Sequence, residues 1–206
     1  MHIEISVSFA EGLSNKALDG RLLLMFSDND KEEPRFQISE GLKTQMIFGM
    51  NVEGMTQGKV ISFDESVFGY PFQSIANIPE GEYYVQALLH VYETFNLSTG
   101  QTVKLPMDNG EGQKWNLSPG NLYSKPFKIR VTANGIEPLT VVMTEIIPPI
   151  KQPADTEWVK HIKIKSEKLS KFWGRDMYLG AHVLLPKGFE DHPEARYPLM
   201  VFHGHF

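Results

Sequence analysis

The chain contains no cysteine. Disulfide staples, thiolate zinc sites and a cysteine nucleophile are therefore excluded, and the fold must rest on its core and its hydrogen bonds. It has no surplus of positive charge either. The formal net charge is −5, which leaves no basic face to neutralise phosphates and excludes nucleic acid as a partner. No apolar run approaches the roughly 20 residues that cross a bilayer, so no membrane span is expected. The N-terminal MHIEISVSF alternates like a strand and lacks the basic-then-apolar layout of a leader. That leaves a cytoplasmic protein, or a periplasmic or secreted one whose leader has been removed. Long segments with a 3.6-residue apolar stripe are also missing, so helices are not the framework.

What remains is a length of 206 residues, enough for one large domain or for one domain and part of another. The charge is unevenly spread. Residues 1–150 carry eleven basic side chains against eighteen acidic, and residues 151–206 carry nine against seven. This change of character suggests a boundary near 150.

Through residue 147 the pattern is strand and turn. Ile3, Ile5, Val7 and Phe9 alternate with polar residues, the period of a half-buried strand. Asp19-Gly20 opens the apolar run from Arg21 to Phe26. Further strands are expected at 45–50, 59–63, 101–105, 126–132 and 139–146, with Asn134-Gly135 as a hairpin signal between the last two. Short strands at this spacing, punctuated by Gly and Pro, imply a mainly β fold built as an antiparallel sandwich. In "IANIPEGEYYVQALLHVYE", residues 75–93, the strand after Pro79-Glu80-Gly81 places Tyr83, Val85, Ala87, Leu89 and Val91 on one apolar face, which must look into a core. Ile78, Pro79, Gly81 and Tyr83 resemble the corner of an immunoglobulin-like sandwich, where a tyrosine hydroxyl ties back to the backbone upstream.

Several surface features of this region carry chemistry. Asp28, Asp30 and Glu32 are oxygen-rich, but they lack the spacing and the glycine of a calcium loop and read as a solvated tip. The long loop 106–126 holds Trp115 and Tyr123. These rings either pack under their own loop or contact a partner domain, with sugar stacking as a third use. Asn96-Leu97-Ser98 and Asn116-Leu117-Ser118 match the glycosylation pattern, which is common by chance. Residues 148–158, with their prolines, form a stiffened linker between 1–147 and 159–206.

The final stretch, "HIKIKSEKLSKFWGRDMYLGAHVLLPKGFEDHPEARYPLMVFHGHF", differs in kind. Ser166, Leu169, Arg175, the run from Val183 to Phe189, Arg196-Tyr197-Pro198 and the run from Leu199 to Gly204 follow one another in a distinctive order. That series resembles the opening of an α/β-hydrolase of the esterase D and enterochelin-esterase type. The resemblance covers about the last fifth of the chain. It implies an immunoglobulin-like accessory sandwich followed by the first strands of a hydrolase domain. It also implies an oxyanion loop at His203, Gly204 and His205, where a backbone N–H faces the tetrahedral intermediate and His203 shapes the loop. No Gly-x-Ser-x-Gly elbow occurs in the 206 residues, so no residue here is expected to be catalytic. On this reading the partners are the remainder of the hydrolase domain and, in the full-length protein, a small ester. The strand at 199–206, lacking neighbours, invites self-association.

A rival reading makes His203 and His205 a metal pair, since residues two apart on a strand point to one side. The third ligand would be His161, His182 or His192, none at a recognisable spacing, and His90 reads as a partly exposed sheet residue. No resident metal and no cofactor are expected. Two function classes stand: the front of a serine esterase, or a self-contained β-sandwich binding module, possibly carbohydrate-directed.

Overall fold

The computed structural model describes residues 4–203. The chain divides into two compact units. One comprises residues up to Glu93 together with Lys104–Ile150, and the other comprises Thr94–Val103 together with the residues from Lys151 onward.

The strands of the first unit are β1 (Ile5–Phe9), β2 (Leu18–Ser27), β3 (Met46–Met55), β4 (Ile61–Phe63), β5 (Gly69–Tyr70), β6 (Gly81–Asn96), β7 (Thr102–Leu105), β8 (Leu122–Tyr123), β9 (Phe127–Val131), β10 (Leu139–Met143) and β11 (Glu145–Ile146). The far end of β6 and the start of β7 fall in the second unit. One sheet has the order β10-β1-β4. The other runs β11-β8-β6-β2-β3-β5, with β7 and β9 also paired to β6. Mainly β, with predominantly antiparallel pairing, is what the alternation implied. The exception is β1, which runs parallel to β10 from Ile5 opposite Leu139 to Phe9 opposite Met143. These strands lie at opposite ends of the unit's sequence, so no tight turn dictates their relative direction.

The main core lies between the two sheets. Ile5, Val7, Phe9, Phe63, Val141 and Met143 come from the smaller sheet, and they pack with Leu22, Leu24, Phe26, Phe48, Val85, Ala87 and Leu89 of the larger. Phe26 meets Phe48 edge-on at 5.8 Å between ring centres. The row at Tyr83, Val85, Ala87, Leu89 and Val91 faces this core, the first four buried and Val91 partly so. The tyrosine tie is present as well: Tyr83 Oη donates to the Pro79 carbonyl at 3.0 Å.

Two local expectations change. Thr132 and Gly135 exchange backbone hydrogen bonds of 2.8 and 3.0 Å around Ala133-Asn134. Only Gly135, at φ 97°, takes the left-handed conformation. This turn does not open a hairpin ladder, because β9 pairs with β6 in one sheet and β10 pairs with β1 in the other. Pro138, which lacks an N–H and so cannot donate to a ladder, stands just before β10. The expected strand at 139–146 is split at Thr144, and β11 crosses to the larger sheet to pair with β8.

The second unit is built from β12 (Val159–Lys165), α1 (Glu167–Trp173) and β13 (Tyr178–Leu184). β12 and β13 pair antiparallel from Val159 opposite Leu184 to Lys165 opposite Tyr178. Ser166 caps the helix, its Oγ accepting from Leu169 N–H at 3.3 Å, which gives the Ser-x-x-Leu stretch a local role. Gly174 ends the helix at φ 68°, and an added Cβ there would lie 2.4 Å from the Asn96 carbonyl oxygen. Phe95 meets Trp173 at 5.2 Å and is the unit's buried residue; no other described residue of the unit is buried. The strand expected at 199–202 is not formed: residues 199–203 have no regular structure. An extended segment needs a neighbour to accept its ladder hydrogen bonds, and none is paired with it.

Candidate functional site

The long loop 106–126 lies on the second face of the large sheet. Leu23, Met25, Leu88 and Ile147 form a second apolar cluster there, with Trp115, Tyr123, Ile38 and Ile47 packed against it. The Arg35 guanidinium sits 4.2 Å above the Tyr123 ring and 4.4 Å from that of Phe36. Both rings named from the sequence are thus engaged by the chain's own side chains. They are half-buried platforms, not free ones.

What holds the loop is a set of buried polar groups with no sequence signal of their own. Ser124 Oγ accepts from Ala87 N–H at 3.0 Å and Asn121 Oδ1 accepts from Val91 N–H at 2.9 Å. These side chains stand in for a strand neighbour along β6. Gln86 Nε2 donates to Glu33 Oε2 and to the Ser124 carbonyl, at 2.7 and 2.9 Å, while Gln86 Oε1 accepts from Arg35 N–H. Arg35 in turn pairs with Glu33 at 2.9 Å and donates to the Asn116 carbonyl at 3.1 Å. Among the described residues no buried side-chain nitrogen or oxygen lacks a partner, as a folded polar network requires. Asn116 donates its amide to the Arg35 carbonyl, so of the two glycosylation-type asparagines only Asn96 is exposed.

His90 is half-buried, beside Tyr92 at 5.4 Å between ring centres and opposite Arg21 on β2. Burial pushes its imidazole below the usual histidine range, and the Glu111 carboxylate opposes this in part. The folded state therefore resists a proton that the unfolded chain accepts near its ordinary pKa of about 6.5. Stability is expected to fall as pH drops from about 7.5 to 5.5. His90→Gln should flatten that slope, as read from urea midpoints across the range; an unchanged slope would reject His90 as its source.

The acidic tip behaves as a solvated turn. Tyr84 donates to Asp30 at 3.1 Å, and Gln45 and Asn29 donate to Asp28 at 3.0 and 2.8 Å. His203 is exposed and unstructured, and Gly204 and His205 lie outside the described residues. Among the described residues no group of three or more His, Asp or Glu side chains is placed to hold a metal ion. No described helix is long and apolar enough to cross a membrane.

The second unit brings together a constellation that spacing concealed. His161 lies opposite His182 across the β12–β13 ladder, with ring centres 4.6 Å apart and planes at 76°. Asp155 Oδ1 accepts from both the backbone N–H and the Nδ1 of His161, at 2.9 and 2.8 Å. That hydrogen bond to the ring holds the Asp155 carboxyl below the usual range. His192 is not part of this arrangement.

Comparison with protein-family models, with curated proteins and with solved structures returns no match.

Proposed function

We propose that the chain is the N-terminal portion of a serine ester hydrolase, in which an immunoglobulin-like accessory sandwich precedes the opening strands of an α/β-hydrolase domain. One observation carries this reading. From Pro148 to His203 no described residue is buried, although the stretch includes Ile164, Leu179, Leu184, Met200, Val201 and Phe202, all well exposed. Large exposed apolar side chains in such number mark a surface of interaction with further polypeptide. Further hydrolase polypeptide is the cover that the order of motifs calls for. The Tyr83–Pro79 hydrogen bond and the parallel β1–β10 pair support the immunoglobulin-like description of the sandwich.

Within this reading the chain contributes shape and a single catalytic element. A backbone N–H in the loop around Gly204 and His205 would face the oxyanion of the tetrahedral intermediate, with His203 shaping that loop. Nucleophile, base and orienting acid are all required for acyl transfer, and they would come from the remainder of the hydrolase domain. The rival reading as a sugar-binding module gains nothing from Trp115 and Tyr123, which are engaged within the sandwich.

The test is hydrolysis of a p-nitrophenyl acyl ester. The purified 206-residue chain is expected to release no more nitrophenol than a heat-denatured control. A protein extended to the natural stop codon should turn the ester over and lose that activity when the elbow serine becomes alanine. Turnover by the short chain that survives a chelator would overturn the proposal, as would an open reading frame that ends at Phe206.

A further inference from the structure

We propose that His161 and His182 form a two-imidazole chelate for a divalent transition-metal ion of the zinc type, clamping β12 to β13. The pair is 21 positions apart in sequence and meets only because the ladder register sets the two residues face to face. Two imidazoles bound to one tetrahedral ion, each through a nitrogen about 2.0–2.1 Å from it, hold their ring centres about 5 Å apart. The observed 4.6 Å is close to that spacing. The broad terminal torsion of the exposed His182 lets its ring turn to complete the bite.

The second observation is the carboxylate. A ligating histidine typically donates its other ring N–H to a carboxylate or carbonyl, which fixes the tautomer and aims the free nitrogen. Asp155 makes that contact with Nδ1 of His161 at 2.8 Å. As an ionised carboxylate can only accept, this contact places a proton on Nδ1, which in the neutral ring leaves Nε2 as the nitrogen with the lone pair. Lys163, two positions along β12 from His161, holds its Nζ 4.7 Å from the centre of the Tyr178 ring, so that cation is drawn toward the ring.

The third observation gives the site a purpose. With Phe95 the one buried residue among those described in the unit, the β12–β13 pair has little apolar burial to hold it. Small units in this position gain stability from a cross-link or an ion. An ion that binds the paired strands and not the unfolded chain stabilises them by mass action. With two protein ligands and water at the other positions, the site would exchange its ion freely and would bind it only while both imidazoles are unprotonated.

The experiment is calorimetric titration of Zn²⁺ at pH 7.5 into the chain carrying His203→Gln and His205→Gln, which removes the competing tail pair. His182→Gln, at an exposed position, should weaken binding at least about tenfold, and Asp155→Asn should weaken it by about the same factor. Zn²⁺ should also raise the thermal midpoint of the second unit, followed by the fluorescence of Trp158 and Trp173 in a Trp115→Phe background, and should fail to do so in His182→Gln. Far-UV circular dichroism checks that each variant keeps its strands. An affinity unchanged by His182→Gln would overturn the proposal and place the ion elsewhere, for instance at His192. Absence of binding heat up to millimolar Zn²⁺ would overturn it equally.

Discussion

Leu89→Ala is expected to destabilise the sandwich by about 2–5 kcal/mol, the range for truncating a fully buried leucine in a packed core. Leu89 is 0 % exposed and sits mid-strand on β6, directly opposite Leu22 of β2 and Leu122 of β8. Its neighbours are held by ladders on both sides, so the backbone cannot collapse into the space left by the lost methyl groups. The cost should therefore include a cavity term as well as the lost transfer energy. Urea unfolding followed by Trp115 fluorescence, with Trp158 and Trp173 replaced by phenylalanine, isolates the first unit. A shift below about 1 kcal/mol would mean that the face carrying Tyr83, Val85, Ala87 and Val91 is not the centre of the core.

Gly20→Ala is expected to be severe for a different reason. A Cβ at Gly20 would stand 2.1 Å from the His90 carbonyl oxygen and 3.2 Å from the Val91 Cα. Both obstacles are backbone of the neighbouring strand and cannot swing aside as a side chain would. The close approach coincides with an irregular register between Leu18 and Gly20 on β2, where a glycine is the residue that permits it. Overpacking of this kind costs about 1–3 kcal/mol, and more where backbone must separate. Gly180→Ala, on β13 with nothing within 4 Å of the added methyl, should change stability by no more than about 0.5 kcal/mol. Comparable thermal midpoints for the two variants would show that the sheet relaxes around Gly20 at little cost.

How far the sequence carries depends on the range of the interaction being read. Alternation at Ile5, Val7 and Phe9, and at Tyr83 through Val91, is a local property, and each strand's buried face follows from it. The Tyr83–Pro79 tie spans four residues, and the cap of Ser166 on Leu169 spans three, so both were within reach of a local reading. The second apolar face of the large sheet was not. Leu88 and Gln86 are buried because a loop some 30 residues downstream folds over them, and no periodicity in β6 announces that cover.

The candidate sites divide in the same way. Trp115 and Tyr123 were recognisable as the aromatics of a long loop, but only the path of that loop decides that Arg35 covers the Tyr123 ring and that both rings pack against the cluster around Leu88. The tail motif was legible as an order of residues, while its geometry requires neighbours to pair with. His161 and His182 carried no ligand spacing at all, and the β12–β13 register made them a pair with Asp155 behind one of them. By itself the sequence determined the composition limits, the strand-forming segments and the direction each strand's apolar face must take, because those follow from chemistry within a few residues. Only the tertiary structure decided which strands share a sheet, which glycine must remain a glycine and which polar groups meet. Those outcomes rest on contacts between residues far apart in the chain, where register and packing choose the partner.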